Sequence, residues 1–190
     1  MKFQQLGIQG AWLVESEVFD DARGSFREWF KSEEIKNATE IDFSVEQANV
    51  SSSNRGVIRG IHYSLAPEGQ AKWVTCTTGR ILDVIVDIRP ESPTYKRVEY
   101  VELDCTSGRA TFLGPGLGHG FISLVDNSVV AYLLSSPYSP EFEFAIQPTD
   151  VELNIDWQVD SILKSSYLLS AKDLKAPTLA ERLSEGTLPK

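Results

Sequence analysis

Residues 56–63 read Gly-Val-Ile-Arg-Gly-Ile-His-Tyr and bring together side chains that suit acid–base chemistry. His62 is one of two histidines in the chain, Arg59 lies three residues before it, and Lys72 lies ten residues after it. An imidazole can take a proton near neutral pH, a guanidinium fork binds anions, and an ammonium stabilises a developing oxyanion. The segment therefore indicates chemistry on a charged small molecule that carries a carbonyl group.

Tyr132 could return the proton that His62 removes, and Lys72 could stabilise an enolate oxygen. Each candidate also has a purely structural interpretation. A strand histidine is often a satisfied core residue, Tyr132 would pack in the core with its hydroxyl at the edge, and Lys72 would be a solvated strand residue. His119, between two glycines, could be a turn residue, and Arg23 could belong to an exposed turn.

Arg59 and His62 differ by three positions, so on one regular strand their side chains would face opposite sides. Either Gly60 marks a bulge or the two residues do not share a pocket. The sequence leaves both alternatives open.

Other kinds of site have weaker support. The position two after His62 is Ser64, so there is no His-x-His pair and no metal site is expected, although one built only from carboxylates stays open. No Gly-x-Ser-x-Gly elbow is present. Cys76 and Cys105 lack metal-like spacing, and we expect free thiols in a reducing compartment.

The composition excludes some partners. The 190 residues carry a formal net charge of −9 and are 42% hydrophobic, as expected of a globular chain with one sizeable core. The negative charge argues against nucleic-acid and anionic-membrane partners, which select basic surfaces. No apolar run is long enough to span a bilayer, and residues 1–5 lack the apolar core of a signal peptide, so we expect a cytoplasmic protein.

The elements that would position these residues are mostly short strands. The apolar runs at residues 11–14 and 129–134 and the aromatic-rich segment at residues 25–30 are typical of strands. Residues 19–24 predict a turn, and residues 49–56, rich in serine and asparagine, predict a loop that leads into the segment around His62.

Residues 80–89 give the clearest strand pattern. One face of this strand would be apolar, with the side chains of Leu82, Val84, Val86 and Ile88. Asp83 and Asp87 share the other face with two isoleucines, which predicts that this face is wet, as at the mouth of a barrel.

Three short helices are expected on the outside. Ser32 would be the N-cap of the first, and capping boxes begin at Ser170 and Thr178. Many short strands with frequent turns predict a mainly β protein, an antiparallel jelly-roll barrel of the cupin-like class with a few short peripheral helices. Without repeats or linkers, residues 1–190 are expected to form a single domain.

Taken together, these motifs resemble a known family over nearly the whole chain. The matching segments are residues 19–26, 47–51, 56–63, 70–72, 83–89, 92–94, 118–121, 132, 138–140, 169–173 and 176–177. In order and spacing they are similar to the dTDP-4-dehydrorhamnose 3,5-epimerases.

The resemblance implies a homodimeric jelly roll without metal or cofactor. The implied substrate is dTDP-4-dehydro-6-deoxy-D-glucose, and the implied product feeds L-rhamnose synthesis. In that family pattern His62 is the base and Asp173 pairs with it to orient the ring. Lys72 would face the developing C4 oxyanion, and Tyr132 would deliver a proton to the opposite face of the sugar.

The resemblance also implies a set of substrate-contacting positions. They are Arg23, Glu28, Gln47, Asn49, Arg59, His119, Glu143 and Lys172. The arginines would bind the pyrophosphate, because their fork is bidentate, and Tyr138 would stack on the thymine.

One departure bears on specificity. The approach to His119 reads Gly116-Leu117-Gly118, where many relatives have Phe-Ala after the glycine, and we expect this change near the pocket wall. Relatives in antibiotic-sugar pathways invert only C3 or only C5. Alternatives therefore remain: a mono-epimerase, a non-catalytic sugar-nucleotide-binding cupin, and a metal-dependent cupin.

Overall fold

The structure, a computed structural model, describes residues 1–67, 69–157 and 167–190. Strands dominate the described part of the chain. They are β1 (Lys2–Gln5), β2 (Ala11–Glu15), β3 (Val18–Asp21), β4 (Gly24–Arg27), β5 (Gln47–Ser53), β6 (Ile58–Ser64), β7 (Lys72–Thr78), β8 (Arg80–Asp87), β9 (Val98–Asp104), β10 (Arg109–Leu113), β11 (Leu117–Ser123), β12 (Ser128–Leu134) and β13 (Glu143–Ala145). The helices are α1 (Ser32–Thr39), α2 (Ala171–Leu174) and α3 (Leu179–Ser184).

The strands form two antiparallel sheets and one hairpin. The larger sheet has the order β1-β2-β10-β7-β12-β5, and the smaller has the order β13-β6-β11-β8-β9. Strands β3 and β4 pair only with each other within the described chain. The prediction of a mainly β, cupin-like jelly roll with short peripheral helices is confirmed.

Strand alternation sorts the apolar side chains into three layers. On β8, Ile81 and Ile85 point into a core between the two sheets, together with Val74, Phe121 and Val130. The neighbouring positions of β8 point outward, to a cluster covered by the C-terminal segment around Trp157, Leu179 and Leu188. The outer face of the larger sheet is covered by Ile35 of α1 and by Trp29, Phe30 and Phe43.

The face of β8 that carries the acids is buried, so the prediction that it is wet is wrong. The side chains of Asp83 and Asp87 have no solvent exposure. Asp87 accepts hydrogen bonds from Arg89, Ser92 and Thr94, and Asp83 has partners in the site described below. A carboxylate can be buried where hydrogen-bond donors of the protein replace water. The alternation of polar and apolar residues along one strand does not show which donors other segments will supply.

The predicted loop at residues 49–56 is largely a strand. Strand β5 extends to Ser53 and pairs with β12 along its whole length. The polar side chains of this segment predicted a loop. Strand β12 nevertheless provides hydrogen-bond partners for its backbone N–H and C=O groups, which do not depend on the side chains.

Two local boundaries also differ from the prediction. Lys31, not Ser32, is the N-cap of α1, and Ser32 is the first helical residue. Strand β4 ends at Arg27 rather than Phe30, because residues 28–30 leave the hairpin and the two aromatic rings pack on the larger sheet. None of the helices in the described ranges has the length and apolar character needed to cross a bilayer.

Candidate active site

A cavity of about 550 Å³ opens between the inner faces of the two sheets. All but two of the site residues predicted from the sequence line it: Gln47, Asn49, Arg59, His62, Lys72, His119, Tyr132, Tyr138, Glu143, Lys172 and Asp173. The cavity therefore contains an imidazole pair, carboxylates and cations, the groups required for proton transfer on an anionic substrate.

The larger sheet supplies one wall. Tyr132 on β12 is paired with Asn49 on β5, and Leu134 is paired with both Gln47 and Lys72. Since paired residues of adjacent strands share a face, these side chains project together into the cavity. The interpretation of Lys72 as a solvated strand residue is wrong, because it is buried.

A bulge in β6 brings Arg59 and His62 to the opposite wall. His62 pairs with His119 and Arg59 pairs with Phe121, so three steps along β6 match two along β11. Gly60 lies at this irregularity with φ of +134°, and a Cβ there would stand 2.5 Å from the Cα of Gly120. The bulge resolves the parity problem: both side chains face one cavity.

His62 forms the first imidazole–carboxylate pair. Its Nε2 lies 2.7 Å from Oδ1 of Asp173, and its side chain is 40% exposed whereas that of Asp173 is 5% exposed. Burial raises the pKa of the Asp173 carboxyl, but hydrogen bonds from His62 and Ser170 outweigh it and the net shift is downward. An ionised partner keeps the ring proton on Nε2, which leaves the Nδ1 lone pair able to accept a proton.

The short helix α2 positions Asp173. Ser170 is the N-cap, and its Oγ accepts a hydrogen bond from the Asp173 backbone N–H at 3.0 Å and donates to Oδ2 of Asp173 at 2.9 Å. The Asp173 side chain thus binds Ser170 and His62. Residue 168 anchors this segment beside β6 through a parallel bridge to Val57.

Lys72 is buried in the wall of the cavity beside His62. Its Nζ donates to the backbone carbonyl of His62 at 3.3 Å. Burial lowers the pKa of Lys72 to about 8, against the opposing influence of Glu143 and Asp83. An ammonium in this low-dielectric position would interact strongly with a developing oxyanion.

His119 forms a second imidazole–carboxylate pair beside the first. Its Nε2 lies 2.7 Å from Oδ1 of Asp83, and Thr111 Oγ1 donates to Oδ2 of the same carboxylate at 2.7 Å. His119 lies within β11, so the turn interpretation is wrong.

Other lining groups are held by hydrogen bonds. Arg59 donates through Nε to Ser53 Oγ at 3.1 Å, the Tyr138 backbone N–H donates to Gln47 Oε1 at 2.7 Å, and Gln70 donates to Glu143 at 3.3 Å. The Tyr138 ring is more than half exposed at the rim.

Two predicted residues, Arg23 and Glu28, do not line the cavity. Arg23 is exposed at the turn of the β3–β4 hairpin and pairs with Asp21, and Glu28 pairs with Lys31 at 2.6 Å. Within a single chain, the structure does not bring them to the other site residues.

Sequence reasoning missed several groups around the cavity. Gln70 and Ser51 line it, Ser170 supports Asp173, and Asp83 with Thr111 supports His119. The capping box had pointed to Ser170, but as a helix signal only. Thr111 carried no signal, since its partner lies across the barrel.

Leu117 is not among the residues that line the cavity. It packs in the core between the sheets, and Gly118 faces Ile61 and Ile88 on the other side of β11. The Leu117 side chain is nevertheless on the same face of β11 as those of His119 and Phe121, which line the cavity, so an influence of this departure on the pocket wall stays a prediction. Among residues 1–67, 69–157 and 167–190, no group of three or more His, Cys, Asp or Glu side chains could hold a metal ion.

The jelly roll and the pair of imidazole–carboxylate contacts define a β-barrel protein with an acid–base site for an anionic ligand. Residues 5–181 match the family model for dTDP-4-dehydrorhamnose 3,5-epimerase. The chain belongs to this family of dTDP-sugar epimerases and is an isomerase.

Relatives confirm the family and differ in specificity. A Streptomyces dTDP-4-dehydro-6-deoxyglucose 3-epimerase is 45% identical, covering 97% of this chain and 92% of the relative. The dTDP-4-dehydrorhamnose 3,5-epimerase of Mycolicibacterium smegmatis is 42% identical, covering 100% and 91%. ChmJ, a 3'-monoepimerase from Streptomyces bikiniensis solved with dTDP-quinovose, has a TM-score of 0.91 at 45% identity, covering 97% and 91%.

Proposed function

We propose that this epimerase acts on dTDP-4-dehydro-6-deoxy-D-glucose and inverts both C3 and C5, giving dTDP-4-dehydro-L-rhamnose for L-rhamnose synthesis. The single observation that carries the proposal is that His62, already paired with Asp173, and Tyr132 line one cavity from two different sheets. Inversion requires a base on one face of the sugar and an acid on the other, and side chains that enter one cavity from two sheets support this assignment.

The reaction follows from the acidity of hydrogens beside a ketone. His62 Nδ1 removes the proton from C3 or C5, and the electron pair of the C–H bond moves into an enolate with charge on O4. Lys72 stabilises that oxyanion, and Asp173 stabilises the imidazolium. Tyr132 then donates its proton to the opposite face of the carbon, which completes inversion. Solvent afterwards removes the proton from His62 and reprotonates the phenolate.

The nucleotide is bound by the cationic part of the same cavity. Arg59 and Lys172 supply positive charge for the pyrophosphate, and the exposed ring of Tyr138 offers a surface on which thymine stacks. Gln47, Asn49, His119 and Glu143 contribute hydrogen bonds to the sugar and the base. This division matches a ligand with an anionic centre and an aromatic end.

Arg23 and Glu28 reach a site only if a second copy of the chain supplies them. The β3–β4 hairpin exposes Phe19 and Phe26, at 51% and 65%, as a cross-strand pair beside Arg23. Phe19 and Phe26 could contact a nucleobase and Arg23 could bind a pyrophosphate, so the hairpin suits the cavity of a second chain. A homodimer in which each hairpin completes the partner's site accounts for both residues, and residues 1–190 then act as one domain.

Mixed dimers test this assembly. Chains carrying His62→Asn and Arg23→Ala are co-expressed with different tags and purified through both. If Arg23 acts in the partner's site, each mixed dimer holds one intact site, and about half of the wild-type activity returns. Activity no higher than that of the single variants would place Arg23 in its own chain's site or outside any site.

The central test is proton NMR of the substrate with enzyme in heavy water. The proposal requires deuterium at both C3 and C5 and inversion at both. The matched variant His62→Asn should lose about 10²–10⁴-fold in exchange, the usual contribution of one proton-transfer group. An unchanged rate of deuterium exchange in that variant would show that His62 is not the base.

Inversion of C3 alone is the second candidate. It is favoured by relatives named as 3-epimerases, which are as similar to this chain as those named 3,5-epimerases. Deuterium that enters and inverts only at C3 would select it over the double epimerase.

A further inference from the structure

Thr111 and Asp83 form a buried connection between the two sheets that ends at His119. Thr111 on β10 belongs to the larger sheet, whereas Asp83 on β8 and His119 on β11 belong to the smaller one. The two links, Thr111 Oγ1 to Asp83 Oδ2 and Asp83 Oδ1 to His119 Nε2, each measure 2.7 Å. Thr111 and Asp83 have no solvent exposure, and neither lines the cavity.

This connection determines how the His119 ring is presented. With the Asp83 carboxylate as acceptor, the ring proton lies on Nε2, and Nδ1 carries the opposite hydrogen-bonding character. A buried carboxylate oxygen without a donor is costly, so the Thr111 hydroxyl holds Oδ2 and leaves Oδ1 for the imidazole. Without that hydroxyl the buried Oδ2 has no donor, which favours the protonated acid; its O–H can then donate to Nε2, and the ring carries its proton on Nδ1 instead.

A parallel arrangement supports His62 on the neighbouring strand. There the hydroxyl is Ser170 and the carboxylate is Asp173, with the corresponding link at 2.9 Å. Each imidazole of the chain therefore has its own carboxylate and its own hydroxyl. The His119 side chain is 11% exposed, whereas the His62 side chain is 40% exposed.

We infer that Thr111 is a positioning residue for the epimerase reaction, acting through Asp83 to hold His119 in one tautomer and one orientation toward the bound sugar nucleotide. The expected effect on the reaction rate rests on the proposed function. The expected tautomer of His119 can be tested without a substrate.

The test uses the fact that the chain has only two histidines. Nitrogen-15 NMR of the imidazoles reports which ring nitrogen carries the proton, and His62→Asn assigns the two sets of signals. In the wild-type protein His119 should show the Nε2–H form alone. A wild-type His119 in the Nδ1–H form, or in a mixture of the neutral forms, overturns the inference without any Thr111 variant.

Substitutions at Thr111 separate positioning from packing. Thr111→Val keeps the shape and removes the hydroxyl, and Thr111→Ser keeps the hydroxyl. Thr111→Val should mix the tautomers of His119, leave the His62 signals unchanged, and lower kcat/KM about tenfold, the equivalent of one hydrogen bond. Thr111→Ser should restore the tautomer and most of kcat/KM.

Ser170→Ala is the internal control, since it should move the His62 signals and leave those of His119 in place. Equal effects of Thr111→Val and Thr111→Ser on the His119 tautomer and on kcat/KM would show that Thr111 acts only through packing. Absence of catalytic exchange in the wild-type enzyme would instead refute the proposed function, and the tautomer result would still stand.

Discussion

His62 Nε2 lies 2.7 Å from Asp173 Oδ1, although 111 residues separate the two in the chain. A strand of the smaller sheet carries the imidazole, and a four-residue helix near the C-terminus carries the carboxylate. In the proposed mechanism, this contact selects Nδ1 as the basic atom and stabilises the imidazolium that forms when His62 takes a proton. The proposed chemistry depends first on this pair.

Asp173→Asn should lower kcat by up to about 10⁴-fold while leaving the protein folded, because an amide no longer keeps the ring proton on Nε2. The rate of deuterium exchange and the nitrogen-15 shifts of His62 measure the two effects. Asp150→Asn is the matched control, since Asp150 is also buried and its hydrogen-bond partners among the described residues are the backbone N–H groups of residues 152, 153 and 179. A comparable loss of activity in the control would attribute the effect to folding.

Tyr132→Phe should separate exchange from inversion. The base remains, so His62 still removes the proton, and its exposed ring exchanges that proton with solvent before returning it to the same face. Deuterium should enter the substrate with retained configuration, and inversion should fall about 10²–10⁴-fold. NMR coupling constants distinguish the epimers. Inversion at the wild-type rate would assign the acid role to another group.

The activity should fall at alkaline pH because Lys72 loses its proton. Its pKa is lowered to about 8, and the protonated form is the one that stabilises an oxyanion. Above that pH, kcat/KM should decline about tenfold per unit, since kcat/KM reports the free enzyme. In Lys72→Arg this decline should be absent near pH 8, whatever the absolute rate. An identical pH profile in that variant would assign the decline to another group.

Deprotonation of Lys72 does not itself destabilise the fold as the pH rises. The pKa of Lys72 is lower in the folded state than its ordinary value of 10.5, so the unfolded chain binds more protons between about 8 and 10.5. The contribution of Lys72 to the free energy of unfolding therefore rises with pH over this interval. Denaturant titrations at pH 7.5 and 9.5, with Lys72→Met as the control, measure this contribution.

Gly60→Ala should disrupt the bulge that joins Arg59 and His62 in one cavity. The new methyl group would meet the Gly120 backbone at 2.5 Å, and φ of +134° is unfavourable for any residue with a Cβ. We expect a loss of roughly 3 kcal/mol or more in the free energy of unfolding, from strain and overpacking together.

Gly24→Ala is a control with nearly the same backbone angle, φ of +126°, and nothing within 4 Å of its new Cβ. It should cost about 1–2 kcal/mol from the angle alone. Equal losses in urea titrations at one protein concentration would show that the close approach to Gly120 does not contribute.

Much of the site could be predicted from the types of residues and their order in the sequence. Four features identified the family and the positions to examine. They are the segment around His62, Lys72 ten residues after it, Tyr132 in an apolar strand, and Asp173 in a capping box. The strand alternation of residues 80–89 likewise predicted an apolar face formed by Leu82, Val84, Val86 and Ile88, and these side chains are buried. These features are local, because they depend on residue type and on the fixed periods of strand and helix.

The sequence by itself determined the kind of chemistry, the all-β architecture and the residues proposed to act. The tertiary structure decided that the acids of β8 are buried, that the serine-rich segment is a strand, and that Thr111 supports His119 from the opposite sheet. It also left Arg23 and Glu28 outside the single-chain cavity. The reason is physical: hydrogen bonds across a barrel join residues far apart in the chain, and no local pattern records which donor will meet which carboxylate.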